Sequence, residues 1–431
     1  MFPLPEVPNI ALLGSGGGER AMVGLLGSLY QMEKEDLLDS ILYLCGVSGS
    51  TWCMSSLYKE SNWSEKIEEQ KKIIVHRLWH DHVSRLARGK KLLNYFQCHD
   101  NFNLTDAWAA LVVPELVKEI DENTLSSHRE GHCKDPYPIY TIIDQDSKYT
   151  KLEEKDRWFE LTPHEAGYSI MGAFVDTTRF GSQFDKGKLT KSQPERDMLY
   201  IQGLCGSAVA DKEVILEELK KLIEGKRSGM NNTDSTGPLV LQKMVELLLG
   251  SIREKDCTPL LIELNSLLEA PDVAPQILTE KRHFEDAAAL LNSPYFCVLR
   301  PERQIDLIIS LDFSAGNPME TVVEAHKKCK EMKIPFPTVV VSPEDAKTPK
   351  DFYVFKGINT PTVIHMPLFN IVNCKDKDLS TLREKYKTFQ GAYSPEMITE
   401  LMELAGQNIT NNRKHLLREI EMVSKRTTHQ N

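Results

Sequence analysis

An α/β fold is what this 431-residue chain predicts: a central, mostly parallel sheet with helices on both faces and a cap or lid region. Two observations carry the prediction. Short apolar runs, which read as buried strands, alternate with helical patterns. Two of these runs end in glycine-rich turns that open directly into helices. The first is Ile10-Ala11-Leu12-Leu13 before Gly14-Ser15-Gly16-Gly17-Gly18. The second is Ile41-Leu42-Tyr43-Leu44 before Gly46-Val47-Ser48-Gly49-Ser50. Length alone allows two or three domains, or one enlarged α/β domain with a cap. No internal repeat and no clean domain boundary is visible.

The first turn presents free backbone N–H groups at a helix mouth. A dinucleotide fingerprint fails because the sixth position is Glu19, and a phosphate-binding loop fails because no Gly-Lys-Ser/Thr follows. An oxyanion hole remains, provided that a nucleophile stands on a neighbouring strand of the same sheet. The second turn supplies one. Strand, sharp turn and helix is the setting in which G-x-S-x-G becomes a nucleophile elbow, with Ser48 lifted above the sheet edge. Gly46 and Gly49 leave room there. An ordinary Gly/Ser-rich turn explains the isolated motif as well. With the helix from Glu19 as crossover, the strands 10–13 and 41–44 lie side by side. Both turns then meet at the carboxyl ends of parallel strands.

Residues 61–94 read as charged helix. His76, His80 and His82 have a spacing that brings histidines to one helix face. No acid or cysteine ligand accompanies them, so a solvated amphipathic helix is the better account, with Ile73, Ile74 and Leu78 inward. Tyr137–Asp144 reads as a strand, and Trp158–Tyr168 as a loop-rich, partly buried stretch and candidate site wall. The loop Lys226–Pro238 with the apolar helix Leu239–Leu249 is either a lid or a plain surface loop before a core helix. The second half adds the segment Phe284–Asn292 and strands at Ile305–Leu311 and Pro335–Val341. Ser394-Pro395 forms an N-cap and N1 pair opening a last helix.

Hydrophobic content of 41% and charged content of 26% are ordinary for a globular protein. A net charge of −10 argues against nucleic acid, which calls for a basic patch, and against bulk electrostatic adhesion to an anionic membrane. Nine scattered cysteines without CxxC spacing fit reduced thiols, not a disulfide framework or a zinc site. The amino terminus lacks the pattern of a signal peptide, and no run reaches the length of a membrane span.

Together these pieces resemble the group IV cytosolic phospholipases A2, whose catalytic domain is related to patatin-like lipases. The similarity spans most of the chain. It rests on GSGGGER (Gly14–Arg20), GVSGSTW (Gly46–Trp52), PYPIYT (Pro136–Thr141) and WFELTPHEAGY (Trp158–Tyr168). It continues through GAFV, FGS, LRPERQIDLIISLDFSAG (Leu299–Gly316) and YSPE (Tyr393–Glu396). The long middle segments are far more specific than the elbow.

The resemblance implies a single catalytic domain over residues 1–431 with cap insertions and no amino-terminal calcium-binding C2-type domain, as in the gamma-like branch. It implies a Ser-Asp dyad without histidine: Ser48 as nucleophile, Asp286 as its acid partner. Gly17 and Gly18 become oxyanion donors with Gly16 beside them, and Arg20 the group that binds substrate phosphate. The implied activity is a calcium-independent phospholipase A2 or lysophospholipase working through an acyl-enzyme, with no cofactor and no metal. Its partners are a glycerophospholipid or lysophospholipid substrate and, transiently, a membrane surface. No nucleic acid and no obligate protein partner is implied. The expected location is the cytosol with peripheral association to intracellular membranes. The ending Thr428-His429-Gln430-Asn431 offers no prenylation signal.

Two positions depart from the family pattern. Asp286 is followed by Ala287-Ala288, where relatives usually carry a small residue and then glycine. Were a positive φ required there, alanine would cost about 1 kcal/mol or more. Glu19 places an acid beside Arg20, which would weaken complementarity to phosphate. These departures leave a catalytically impaired lipid-binding homologue as an alternative, next to a transacylase or esterase on the same fold.

Overall fold

The structure is a computed structural model that describes residues 7–99, 102–145, 157–207, 284–375, 377–388 and 393–429, with Leu239, Lys243, Glu246, Pro259 and Glu263 between them. Its strands in chain order are β1 (Ile10–Gly14), β2 (Tyr43–Gly46), β3 (Tyr137–Asp144), β4 (Trp158–Leu161), β5 (Glu165–Tyr168) and β6 (Ala173–Asp176). Then follow β7 (Gln183–Asp185), β8 (Lys188–Lys191), β9 (Phe284–Asp286), β10 (Leu307–Asp312), β11 (Tyr353–Phe355) and β12 (Thr362–Pro367). The main sheet runs β11-β12-β10-β1-β2-β3-β4-β5-β6, with β9 also on β3, while β7 and β8 form a separate hairpin. The central pairs β12–β10, β10–β1, β1–β2 and β2–β3 are parallel.

Helix α1 (Glu19–Lys34) connects β1 to β2, and α2 (Gly49–Leu57) follows β2 at once. The expected neighbours do pair, Leu12 opposite Leu44 and Gly14 opposite Gly46. Alternate residues of each central strand feed two cores. Ile10, Leu12, Leu44 and Ile309 join one; Ala11, Leu13, Cys45 and Ile308 join the other. Burial on both faces is why these strands read as unbroken apolar runs. The long helix Pro395–His429 begins at the predicted Ser394-Pro395 pair, where the Ser394 hydroxyl accepts the Met397 N–H at 3.3 Å.

Four sequence readings are corrected. Pro335–Val341 forms no strand, because Pro335 and Pro337 have no N–H to give a ladder. The place beside β10 goes instead to Thr362–Pro367. Trp158–Tyr168 is not loop-rich; it is the β4–β5 hairpin, extended by β6. Within it Glu160 makes a buried two-pronged pair with Arg303, at 2.6 and 2.9 Å, and Glu165 pairs with Arg300 at 2.9 Å. The WFELTPHEAGY and LRPERQ motifs therefore brace each other across the fold. The third correction is Ile73, which is half exposed on helix α3 (Ile67–His80), while Ile74 and Leu78 are buried as expected. Fourth, the second strand begins and ends two residues later than read. The rings of His76 and His80 lie 4.7 Å apart on α3, and among the described residues no group of three potential metal ligands exists. Of the loop and helix 226–249, only Leu239, Lys243 and Glu246 fall within the described residues, so the lid reading lies outside them.

Candidate active site

The polypeptide turns twice at the carboxyl edge of the sheet, and the two turns have almost the same shape. Gly18, leading into α1, has φ 60° and ψ −139°; Ser48, leading into α2, has φ 53° and ψ −126°. Glycine adopts this geometry freely. A serine there stores about 1–3 kcal/mol of strain, which persists only where the surroundings over-determine it. They do so here: Thr51 N–H and Oγ1 both donate to the Ser48 carbonyl, at 2.9 and 2.5 Å. The Ser50 hydroxyl ties the elbow to the glycine loop by donating to Ser15 O at 2.6 Å.

The register of β3 places Asp286 on the strand edge that leads toward Ser48. A strand has two edges. Tyr140 pairs with both Gly46 of β2 and Leu161 of β4, so β2 and β4 flank β3 on opposite sides. Ile142 pairs with both Phe159 of β4 and Asp286 of β9, so β9 and β4 are also on opposite sides. Strand β9 therefore takes over the edge that β2 vacates after Gly46. Two residues beyond Gly46 stands Ser48; two residues beyond Tyr140 stands Ile142, with Asp286 against it. Neither β9 nor this register is legible from local pattern, because three residues of one short strand carry no periodicity.

Asp286 is fully buried, and its Oδ1 accepts the Ala288 N–H at 2.9 Å. That bond caps a single helical turn, Ala287–Ala289. Neither Ala287 nor Ala288 has positive φ, so the alanines carry no backbone penalty. The buried Cys205 thiol is pushed well above its ordinary pKa, by burial first and by the nearby Asp286 charge second.

A cavity of about 470 Å³ opens at this edge, lined in part by Gly16, Gly17, Arg20, Ser48, Ala288 and Asn292. Gly16 sits where these walls converge. A Cβ on it would lie 2.5 Å from Asn292 Oδ1, 3.0 Å from Ser48 Cβ and 3.2 Å from Ala288 Cβ. Its N–H is committed to Asn292 O at 2.9 Å. Among the described residues, no acceptor takes the N–H of Gly17 or Gly18, and these donors stand at the mouth of α1. The sequence alone does not single out Asn292; it lies in the same segment as Asp286, and nothing local distinguishes it.

Arg20 is buried, and burial lowers its pKa from the ordinary value. Its Nε donates to Phe313 O and its Nη1 to Tyr386 O, both at 2.5 Å, and Nη2 to Thr388 Oγ1 at 3.3 Å. Among the described residues no carboxylate forms an ion pair with it. Glu19 points elsewhere, its Oε2 accepting the Tyr393 N–H at 2.9 Å, and burial raises its pKa to about 7. Near neutral pH the acid beside Arg20 is therefore only partly charged.

The shift at Glu19 makes a testable statement about stability. Between about pH 4.5 and pH 7 the unfolded chain has lost this proton while the folded chain retains it. The folded state is favoured less as pH rises through that window, and the loss is complete above it. Glu19→Gln keeps an acceptor for Tyr393 and removes the charge. The variant should gain on the order of 3 kcal/mol over the natural protein at pH 8.5 and far less at pH 5. Thermal unfolding midpoints at the two pH values decide; an equal gain at both would contradict a charge effect.

A strained serine at an elbow, an acid on the same strand edge and two uncommitted N–H donors beside a cavity define the class: a serine-dependent ester hydrolase of the α/β kind. Comparison with known proteins narrows it. A family model described as the lysophospholipase catalytic domain matches residues 10–219. The human protein cytosolic phospholipase A2 gamma is 34% identical over 494 aligned residues, covering 97% of this chain and 90% of its own. Mouse cytosolic phospholipase A2 zeta is 28% identical, covering 97% of this chain and 58% of its own length. The solved structure of human GIVD cytosolic phospholipase A2 superposes with a TM-score of 0.73 at 23% identity, covering 97% of this chain. This chain spans 63% of that solved chain. The chain belongs to the cytosolic phospholipase A2 family.

Proposed function

We propose that this protein hydrolyses acyl esters of glycerophospholipids or lysophospholipids at membrane surfaces, without calcium, through Ser48 and Asp286. The observation that carries the reading is the strained Ser48 elbow, facing the cavity, with Asp286 on the edge of β3 directly ahead of it. Asp286 takes the Ser48 proton as Oγ attacks the ester carbonyl. Gly17 and Gly18 N–H groups receive the oxyanion, and the proton passes to the departing alcohol. Water then repeats the sequence on the acyl-enzyme. Backbone donors stabilise the oxyanion, and neither step calls on a metal or a cofactor. No helix among the described residues is long and apolar enough to cross a membrane.

The direct test is incubation of the purified protein with mixed phospholipid vesicles in chelator, with the released acids identified. Fatty acid release that vanishes in Ser48→Ala is expected. No release, or release only on adding calcium, would refute the reading.

Arg20 is assigned to the substrate phosphate, because it is a buried fork of donors on the cavity wall with no carboxylate paired to it among the described residues. It also holds two backbone carbonyls. Arg20→Ala leaves these without their donor, at about 1–3 kcal/mol each, so stability and all activity should fall. The informative quantity is the ratio. Phospholipid hydrolysis should fall at least about tenfold further than hydrolysis of an uncharged ester, the equivalent of one charge-assisted hydrogen bond. Equal losses on both would make Arg20 purely structural.

A further inference from the structure

We propose that Asn292 is the positioning residue of the oxyanion loop: its side-chain amide, by holding the Gly16 carbonyl, aims the Gly17 N–H into the cavity. The proposal rests on the ester-hydrolase reading of Ser48. A trans peptide is planar, and its C=O and N–H point in opposite directions. Gly16 O and Gly17 N–H belong to one such plane. Whatever holds the carbonyl on one side therefore sets the N–H on the other.

Two donors reach Gly16 O, Asn292 Nδ2 and Ser15 Oγ, each at 3.3 Å. The restraint matters because the plane lies between glycines, and Gly17 has φ +153°. Glycine presents almost no steric barrier to rotation of the plane. A flipped plane would offer a carbonyl oxygen where the oxyanion needs a donor.

The amide is itself held in orientation. Nδ2 also donates to Ser314 Oγ at 2.7 Å, which engages both of its hydrogens. Ser314 is in turn fixed on Asp312, its N–H donating to Oδ1 at 2.9 Å and its hydroxyl to Oδ2 at 3.2 Å. Asp312 ends β10, the parallel neighbour of β1. The sheet thus sets the serine, the serine sets the amide, and the amide sets the peptide plane. A separate main-chain bond, Gly16 N–H to Asn292 O, survives any side-chain substitution, so the loop keeps its place when the amide is removed.

The test compares Asn292→Ala and Asn292→Asp with the natural enzyme. Functional serines are first counted by covalent labelling with a fluorophosphonate. Per labelled site, Asn292→Ala should lose about 10–100-fold in kcat, with KM changed less than about threefold, since the donor is misaimed rather than deleted. Asn292→Asp, which puts an acceptor against the carbonyl, should lose more. Affinity for a long-chain alkyl trifluoromethyl ketone, which places an oxyanion in the same position, should fall by the same factor as kcat/KM. A merely structural residue would lower the number of labelled sites and leave both quantities per site unchanged. That outcome, or a drop in kcat without loss of ketone affinity, overturns the proposal. Should Asn292→Ala not fold, Ser314→Ala tests the same chain, with a several-fold loss of the same pattern expected and no change refuting it. A natural protein that neither labels nor hydrolyses fails the functional reading itself, a distinct result.

Discussion

Ser48→Ala and Asp286→Ala should each lower ester hydrolysis by at least about 10⁴-fold, and the double variant should be no slower than either. The nucleophile cannot attack without a base, and the base has nothing to activate without the nucleophile. Their effects therefore overlap instead of multiplying. Both variants should fold. Ser48→Ala removes one hydroxyl at the cavity, and the bonds that hold the elbow run through the Ser48 carbonyl, which remains. Asp286→Ala removes the acceptor of the Ala288 N–H and loosens one helical turn. Fluorophosphonate labelling, initial rates and thermal unfolding on the same preparations separate lost chemistry from lost structure. A double variant much slower than both singles would mean that the two residues act independently. A histidine variant as inactive as Ser48→Ala would point to a triad.

Gly49→Ala should also damage activity severely, for a different reason. A Cβ on Gly49 would stand 1.8 Å from the backbone oxygen of Gly18. The obstacle is main chain, so no rotamer change relieves it. Either α2 or the glycine loop must move, and that displaces Ser48 from the Gly17 and Gly18 donors. Overpacking of this kind costs about 3 kcal/mol or more, and a misplaced oxyanion donor costs about 10²–10³ in rate. Gly316→Ala is the control. It lies on the same cavity wall, and nothing stands within 4 Å of the added carbon. Measured kcat and unfolding midpoints should fall sharply for the first and stay near the natural values for the second. Comparable behaviour of the two would mean that the contact between the turns is dispensable.

Several features were legible from residues alone because each depends on neighbours in the chain. A buried parallel strand is an apolar run wherever it sits, and a helix mouth after glycines offers N–H groups in any context. Ser48 with its glycines, the Gly14–Arg20 loop, the crossover through α1 and the start of the last helix at Ser394-Pro395 are of this kind. Where pattern alone was ambiguous it misled. Pro335–Val341 has strand composition but lacks donors, and Trp158–Tyr168 looks irregular because its polar residues, Glu160 and Glu165, point to arginines about 140 positions away.

By itself, then, the sequence determined the two turns, the layered α/β class and, through its resemblance, the candidate pair Ser48 and Asp286. Only the tertiary structure decided where Asp286 stands relative to the Ser48 turn: β9 continues the edge of β3 that β2 leaves. It also decided that Ala287-Ala288 is unstrained, that Glu19 turns to Tyr393, and that Asn292 grips Gly16. The alanine turn is set locally by its Asp286 cap. The other three depend on register or on hydrogen bonds between segments more than a hundred residues apart, and such contacts leave no periodic trace in the chain that makes them.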